Sequence, residues 1–183
     1  MLLEERRRLR EERLRVWVER EQSIALWLHG ASAWPGLLLM MMGVSWLGDG
    51  KLWYALIATL PWWGGAAGLK CALYMVALGA VNLVFYKALK QRIARRRPYI
   101  SCPGIRACAR SLDEFSFPSG HTMHAVAFSL VLTHYHPALA LPLWAFTCLI
   151  ALSRVVLGLH YPSDVAIGAT IGWLTAKFML VIV

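Results

Sequence analysis

The sequence predicts an all-α integral membrane protein: six transmembrane helices, preceded by an N-terminal helix lying on the membrane surface. Three observations point there. Hydrophobic residues make up 58% of the 183 residues and the mean hydropathy is +0.53, whereas soluble domains carry roughly 45–50% apolar residues. Acidic residues are segregated: six of the ten precede residue 23, and after Glu21 only Asp49, Asp113, Glu114 and Asp164 remain. Uncharged stretches long enough to cross a bilayer recur along the rest of the chain. A chain of this length suits one membrane domain, read here as residues 23–183, with residues 1–22 as the surface helix.

Residues 1–22 contain no Pro or Gly, and Glu4–Arg8 and Glu11–Arg15 have the i,i+4 spacing that supports a helix. Leu2, Leu3, Leu9, Leu14 and Trp17 are its candidate lipid contacts; a solvated charged helix is the alternative. Residues 23–48 carry no Lys, Arg, Asp or Glu and form the first expected span, ended by a turn at Gly48-Asp49-Gly50. From Leu52 to Tyr86 the only charge is Lys70. One helix of that length would run about 50 Å, against a hydrocarbon core of about 30 Å, so a break is expected at Gly64–Gly68. Residues 87–118 read as a basic loop, 119–134 as the fourth span, 138–158 as the fifth and 163–183 as the sixth, with a turn at His134–Pro137.

The formal net charge is +9, and eight of the 19 Lys and Arg lie between Lys87 and Arg110. So local an excess on so apolar a chain points to anionic lipid or an anionic substrate and away from nucleic acid. Cys71 and Cys148 lie in apolar runs and read as small core residues. Cys102 and Cys108 lie in the polar loop, either paired, if it faces an oxidising compartment, or as two free thiols. No spacing of His and Cys suggests a metal site, and no segment reads as a cleavable signal peptide.

Consecutive spans alternate direction, so the end of the third and start of the fourth lie on the same side as the end of the fifth and start of the sixth. Three polar motifs fall at these junctions. In the first, Lys90 and Arg97 are seven residues apart, on one face if both are helical, and Pro98 should end the helix nearby. Two such cations suit a phosphate. In the second, Phe117-Pro118-Ser119-Gly120-His121, Ser119 is placed as an N-cap at a helix start that attracts anions. Gly120 allows close approach to the backbone, and His121 carries a transferable proton. In the third, Ser153-Arg154 precedes His160 and Asp164. Asp164 could fix the tautomer of His160, although Pro162 requires a turn between them. Each motif alone has a bland reading as a helix cap or interfacial charge. Jointly they supply cations, a nucleophile and an acid, the set that phosphoryl transfer needs.

At these residues the chain resembles the type 2 phosphatidic acid phosphatase (PAP2) superfamily, whose pattern is K-x6-RP, PSGH and SR-x5-H-x3-D. The superfamily includes lipid phosphate phosphatases, undecaprenyl pyrophosphate phosphatases and, more distantly, vanadium haloperoxidases. All three motifs match without departure, and the likeness covers roughly residues 50–183. It implies a PAP2-type bundle. It also implies that His160 attacks phosphorus and becomes a phosphohistidine, that Asp164 supports it, and that His121 protonates the leaving oxygen and then activates water. Lys90, Arg97, Ser119, Gly120 and Arg154 would hold phosphate oxygens, with no metal or other cofactor. Arg95, Arg96 and His124 fall outside the pattern and are expected in headgroup contacts or supporting packing.

The expected function is hydrolysis of a lipid phosphate or pyrophosphate. A phosphotransferase passing the phosphate to another lipid is the alternative, and a non-enzymatic carrier or scaffold is disfavoured by the full motif set. Substrate lipid and membrane lipids are the expected partners. Seven Arg in the first 22 residues place the N-terminus in the cytoplasm, and six spans then put the active site on the periplasmic side of the inner membrane. The basic loop argues the other way.

Overall fold

A computed structural model describes residues 2–111 and 113–182, except for the side chains of Leu2, Leu3 and Leu14, so the lipid contacts expected of those three lie outside the described residues. Among the described residues every regular element is helical. Helix α1 (Leu2–His29) runs unbroken through the boundary expected after residue 22. Its ion pairs are Arg7–Glu11 at 3.0 Å and Arg15–Glu19 at 3.1 Å, a different choice of i,i+4 partners from the expected ones. Leu9 and Trp17 are exposed, as lipid contacts require.

The stretch expected as one span over 23–48 is bent. After a 3₁₀ turn at Gly30–Ala33 the chain is extended at Trp34, and Pro35 opens α2 (Pro35–Trp46). Proline suits the first helical position because its missing N–H is not needed there. The helical stretch from Pro35 to Trp63 stands at 110° to the one from Glu4 to Ala33. At Gly48-Asp49-Gly50 the chain does not turn back. A five-residue kink at Leu47–Lys51, with Gly50 at φ 117°, leads into α3 (Leu52–Trp63). The expected break at Gly64 is present, and α4 (Gly65–Ile93) follows. The remaining helices are short α5 (Pro98–Ser101), α6 (Gly120–Tyr135), α7 (Ala140–Val156) and α8 (Pro162–Ile182).

Gly65–Ser101, Pro137–Val156 and Pro162–Ile182 are long and apolar enough to cross a membrane, and the bent pair Glu4–Ala33 and Pro35–Trp63 adds a fourth if it counts as one span. Hydropathy alone cannot tell an uncharged run that crosses from one that bends.

The core lies between α3, α4, α6, α7 and α8, where Trp53, Leu60, Met75, Leu78, Phe128, Val131 and Ile150 are buried together. Cys71 is in that core, but Cys148 is exposed, because it lies on the outward face of α7, whereas Thr147 and Ile150 point inward. Helix α8 packs on α6 through a strip of small residues, Gly168, Gly172 and Ala176. A Cβ at Gly168 would stand 2.6 Å from the Ser119 carbonyl oxygen, and one at Gly172 would collide with the carbonyl of Met123. Small residues let two helix backbones approach this closely.

The C-terminal part of α1 docks at the end of the bundle where α4 and α7 finish and α8 begins. The His29 ring bonds the Val156 carbonyl through Nδ1 at 2.9 Å, and its Nε2 accepts from the Arg106 N–H at 3.2 Å. Glu21 accepts from the Ser163 N–H at 2.9 Å and from Arg95 at 2.6 Å. Ala25 packs with Cys102, Ile105, Val155 and Tyr161. The sequence reading put the N-terminal helix and the motif residues on opposite sides of the membrane; in the structure the C-terminal part of α1 and the motif residues lie at one end of the molecule.

Candidate active site

The four motif-bearing segments meet at that end. Helix α4 brings Lys90, then stops at Ile93 because Ala94 adopts a left-handed conformation, φ 46° and ψ 37°. Arg97 is thus not two helical turns beyond Lys90 on one face. It sits in extended backbone as the N-cap of α5, and Pro98 begins the next helix instead of ending the first. Both cations still converge, because both bind Asp113. Lys90 donates to its carboxylate and, at 2.5 Å, to the Phe115 carbonyl, and Arg97 donates to Asp113 Oδ1 at 2.6 Å. The Tyr86 hydroxyl donates to the other carboxylate oxygen. Burial pushes the Asp113 carboxyl up, but Lys90, Tyr86 and Arg97 more than offset it and hold the group below the ordinary carboxylate range.

Ser119 is the N-cap of α6 by position, yet its hydroxyl makes no cap bond. It pairs with Thr122 Oγ1 at 3.0 Å, while its N–H donates to the Asp164 carbonyl at 3.0 Å. Those bonds tie the start of α6 to the start of α8. Beside Gly120, where a Cβ would lie 2.5 Å from the Tyr86 ring, the space is taken by that ring. His121 Nε2 is hydrogen-bonded to Asp49, from the kink between α2 and α3. His124 bonds the Gly120 carbonyl at 2.8 Å, within its own helix.

Arg154 is 1% exposed; it donates to Ser45, and its Nε has no partner. Among the described residues no carboxylate pairs with it. Its carbonyl accepts from the N–H groups of Leu159 at 3.1 Å and His160 at 3.0 Å, which folds the α7–α8 connection back and aims His160 inward. His160 is 2% exposed. Its Nε2 lies 3.4 Å from Arg97 Nη1, and its Nδ1 lies 3.8 Å from Asp164 Oδ2 with no hydrogen-bond partner. A guanidinium can only donate, so this contact leaves the lone pair on Nε2 and the proton on Nδ1, facing Asp164. Burial first, then Arg154, Arg97, Lys90 and His121, hold His160 well below the usual imidazole range, so it is neutral at pH 7.

Asp164 itself is engaged by Arg95 Nη1 at 2.7 Å and the Tyr161 N–H at 2.8 Å. Of the two roles expected for Arg95, headgroup contact and supporting packing, the second is the one found. It bridges Asp164, Ser163 and Glu21 and lies over the Tyr161 ring; Arg96 is exposed. Asp49, Asp113 and Glu21 are the participants that motif reading missed. Asp49 and Asp113 had one available signal, in that they are two of only four carboxylates after Glu21 in an apolar chain. All four cysteines are free thiols, so the paired reading of Cys102 and Cys108 is not the state found.

Such a bundle groups buried Lys and Arg side chains around a neutral histidine at one end, an arrangement that suits a multivalent anion. Sequence comparison makes the class specific: the family model described as "PAP2 superfamily" matches residues 67–183, and the chain belongs to that superfamily. It is similar to decaprenylphosphoryl-5-phosphoribose phosphatase of Mycobacterium tuberculosis, at 32% identity over 142 residues, covering 75% of this chain and 76% of the relative. It is also similar to undecaprenyl-diphosphatase BcrC of Bacillus subtilis, at 31% over 130 residues, covering 68% and 67%. Among solved structures, Aquifex aeolicus LpxE superposes with a TM-score of 0.77 at 24% identity over 86% of this chain and 93% of that one, a likeness of fold. The PAP2-type phosphatidylglycerolphosphate phosphatase of Bacillus subtilis gives 0.68 at 25% identity over 88% and 85%.

Proposed function

We propose that the chain is a membrane phosphatase that hydrolyses a lipid phosphate or diphosphate through a phosphohistidine at His160. The observation that carries this reading is the contact between Arg97 and His160 Nε2, with Lys90 and Arg154 among the charges acting on the same ring. In a bound substrate, phosphate oxygens satisfy the three cations, including the unpartnered Nε of Arg154, with Ser119 and the Gly120 N–H as further donors. The Nε2 lone pair attacks phosphorus and the bond to the leaving oxygen breaks. His121 supplies a proton to that oxygen. Asp164 steadies the Nδ1–H side once the 3.8 Å gap closes to hydrogen-bond length. Water, deprotonated by His121, then cleaves the N–P bond and releases phosphate. The chemistry asks for no metal or other cofactor, because side-chain cations cover the charge that a metal would neutralise.

Relatives that act on decaprenyl- and undecaprenyl-linked phosphates favour a polyprenyl substrate. Transfer to a second lipid uses the same intermediate and is the alternative outcome. Replacing His160 by Ala is expected to reduce phosphate release from polyprenyl diphosphate or polyprenyl-linked monophosphate to background in folded protein, and EDTA is expected to leave wild-type turnover unchanged. Turnover retained by the variant would falsify the nucleophile assignment. A phosphorylated lipid acceptor in place of free phosphate would select the transferase.

Sidedness follows from charge. Seven Arg in residues 1–22 and eight Lys and Arg in 87–110, of 19 in the chain, belong to α1, to the last turns of α4 and to the loop region that α1 docks against. With α1 docked against that region, the two basic segments lie at one end of the molecule and point to one side. Loops rich in Lys and Arg stay in the cytoplasm, so this reading places the site on the cytoplasmic face of the plasma membrane, the reverse of the periplasmic site first expected.

A further inference from the structure

No step above uses Asp49. We infer that Asp49 is a positioning residue for the acid: it holds His121 through Nε2, so that Nδ1 is the nitrogen that delivers the proton to the leaving oxygen. The inference rests on the assignment of His121 as the acid.

Three observations carry it. Asp49 sits in the one kink of an otherwise continuous helical stretch from Pro35 to Trp63, where Gly50 has φ 117° and Gly48 is buried against Ile150. That kink turns the carboxylate across to α6, where it bonds His121 Nε2. An acidic side chain at such depth is costly unless it has a partner and a task. The pair also lines a cavity of about 510 Å³ whose walls are otherwise mostly apolar, formed by Trp53, Ile57, Val76, Leu83, Tyr86 and Phe128. There a carboxylate–imidazolium attraction is screened less than in water.

The chemistry follows from which nitrogen is occupied. With the Nε2–H held by Asp49, the imidazolium presents Nδ1–H to the substrate. As the bond from His160 Nε2 to phosphorus forms and the P–O bond breaks, that proton passes to the leaving oxygen. His121 is left neutral, its remaining proton on Nε2 and a lone pair on Nδ1 that takes the proton of the hydrolytic water. Several charged and titratable groups bear on this exchange: Asp49 and Lys51 from the kink, Arg154 from α7, His124 from α6, and the neutral His160 from the α7–α8 connection. Tyr54 and Tyr86 line the same cavity. Burial first, then Arg154, push His121 down to about 4; Asp49, the anion bonded to the ring, works against them and favours the protonated form.

The test compares full-length wild type, Asp49→Asn, Asp49→Glu and His121→Ala on two substrates of matched chain length, an alkyl phosphate and an aryl phosphate. An aryl oxide leaves without much help, so only the alkyl substrate depends on the acid. For Asp49→Asn, kcat/KM is expected to fall about 10–100-fold on the alkyl phosphate, part of the 10²–10⁴ that general acid catalysis supplies, and at most about threefold on the aryl phosphate. The alkaline limb of its pH profile is expected to move to lower pH, and Asp49→Glu, which keeps the charge, to move it back. Equal losses on both substrates, an unshifted limb, or full activity would overturn the role of Asp49. The His121→Ala control separates the two readings. A loss selective for the alkyl phosphate in His121→Ala but not in Asp49→Asn rejects Asp49 alone, whereas an unselective His121→Ala rejects the acid assignment itself.

Discussion

Asp113 places a carboxylate between Lys90 and Arg97, the two cations that the first motif contributes, with Tyr86 as a third donor. A substrate phosphate that uses these cations competes with that carboxylate, which stays ionised at neutral pH because it is held below the ordinary carboxylate range. Neutralising it removes the competitor. Asp113→Asn is expected to tighten inhibition by inorganic phosphate or vanadate about tenfold, the equivalent of about 1.4 kcal/mol. A weakened inhibition constant would show instead that Asp113 orients the cations for substrate. At this scale the motifs were legible because Lys90, Arg97, His121, Arg154, His160 and Asp164 fall at chain junctions that any alternating bundle brings together. Asp113 and Asp49 were not, since their partners, Tyr86, Lys90 and Arg97 for the one and His121 for the other, lie well along the chain and form no local pattern with them. Ala94 was equally opaque: its left-handed conformation ends α4 with neither Gly nor Asn to announce it.

Among the elements, α1 contributes more than a surface anchor. Glu21, 5% exposed, accepts from Arg95 and from the Ser163 N–H, and Arg95 in turn holds Asp164 beside His160. A helix readable in sequence only as charged and amphipathic thereby sets the register of the α8 start. Glu21→Gln keeps the shape and removes the charge. It is expected to lower thermal stability by about 2 kcal/mol, the scale of a lost hydrogen bond to a charged group. It is also expected to lower kcat with little change in KM, because Asp164 loosens while the cations stay in place. Unchanged kcat would mean that the Arg95–Asp164 contact needs no support from α1. Hydropathy could not foresee this docking. The 26 uncharged residues over 23–48 read equally well as a crossing or as a bend, and Trp34-Pro35 decides for the bend.

For the molecule as a whole, helix count and sidedness are one question. The alternation of spans correctly grouped the three motifs, since that grouping depends only on the helices after residue 65. For the N-terminus it gave the end opposite to the one where α1 docks, because the bend at 30–34 and the kinked but onward path through 47–51 make a single helical stretch of Pro35–Trp63 where two spans were expected. Single cysteines at Arg10, Arg106 and His134, in a background with Cys71, Cys102, Cys108 and Cys148 replaced by Ser, test the result in intact cells. Arg10→Cys and Arg106→Cys are expected to resist an impermeant thiol reagent together, and His134→Cys, at the far end of α6, to react. Opposite labelling of the first two would contradict the docking of α1.

The central claim is that His160, aimed by the Arg154 carbonyl into a group of buried cations, is the atom that takes the phosphate. Rapid quenching of wild-type protein with substrate labelled at the transferred phosphorus measures this directly. The expected result is an acid-labile, alkali-stable phosphoryl group on the peptide containing His160, formed no slower than turnover and lost in His160→Ala. Label on any other residue, or full turnover with no protein-bound phosphate at any quench time, would contradict it.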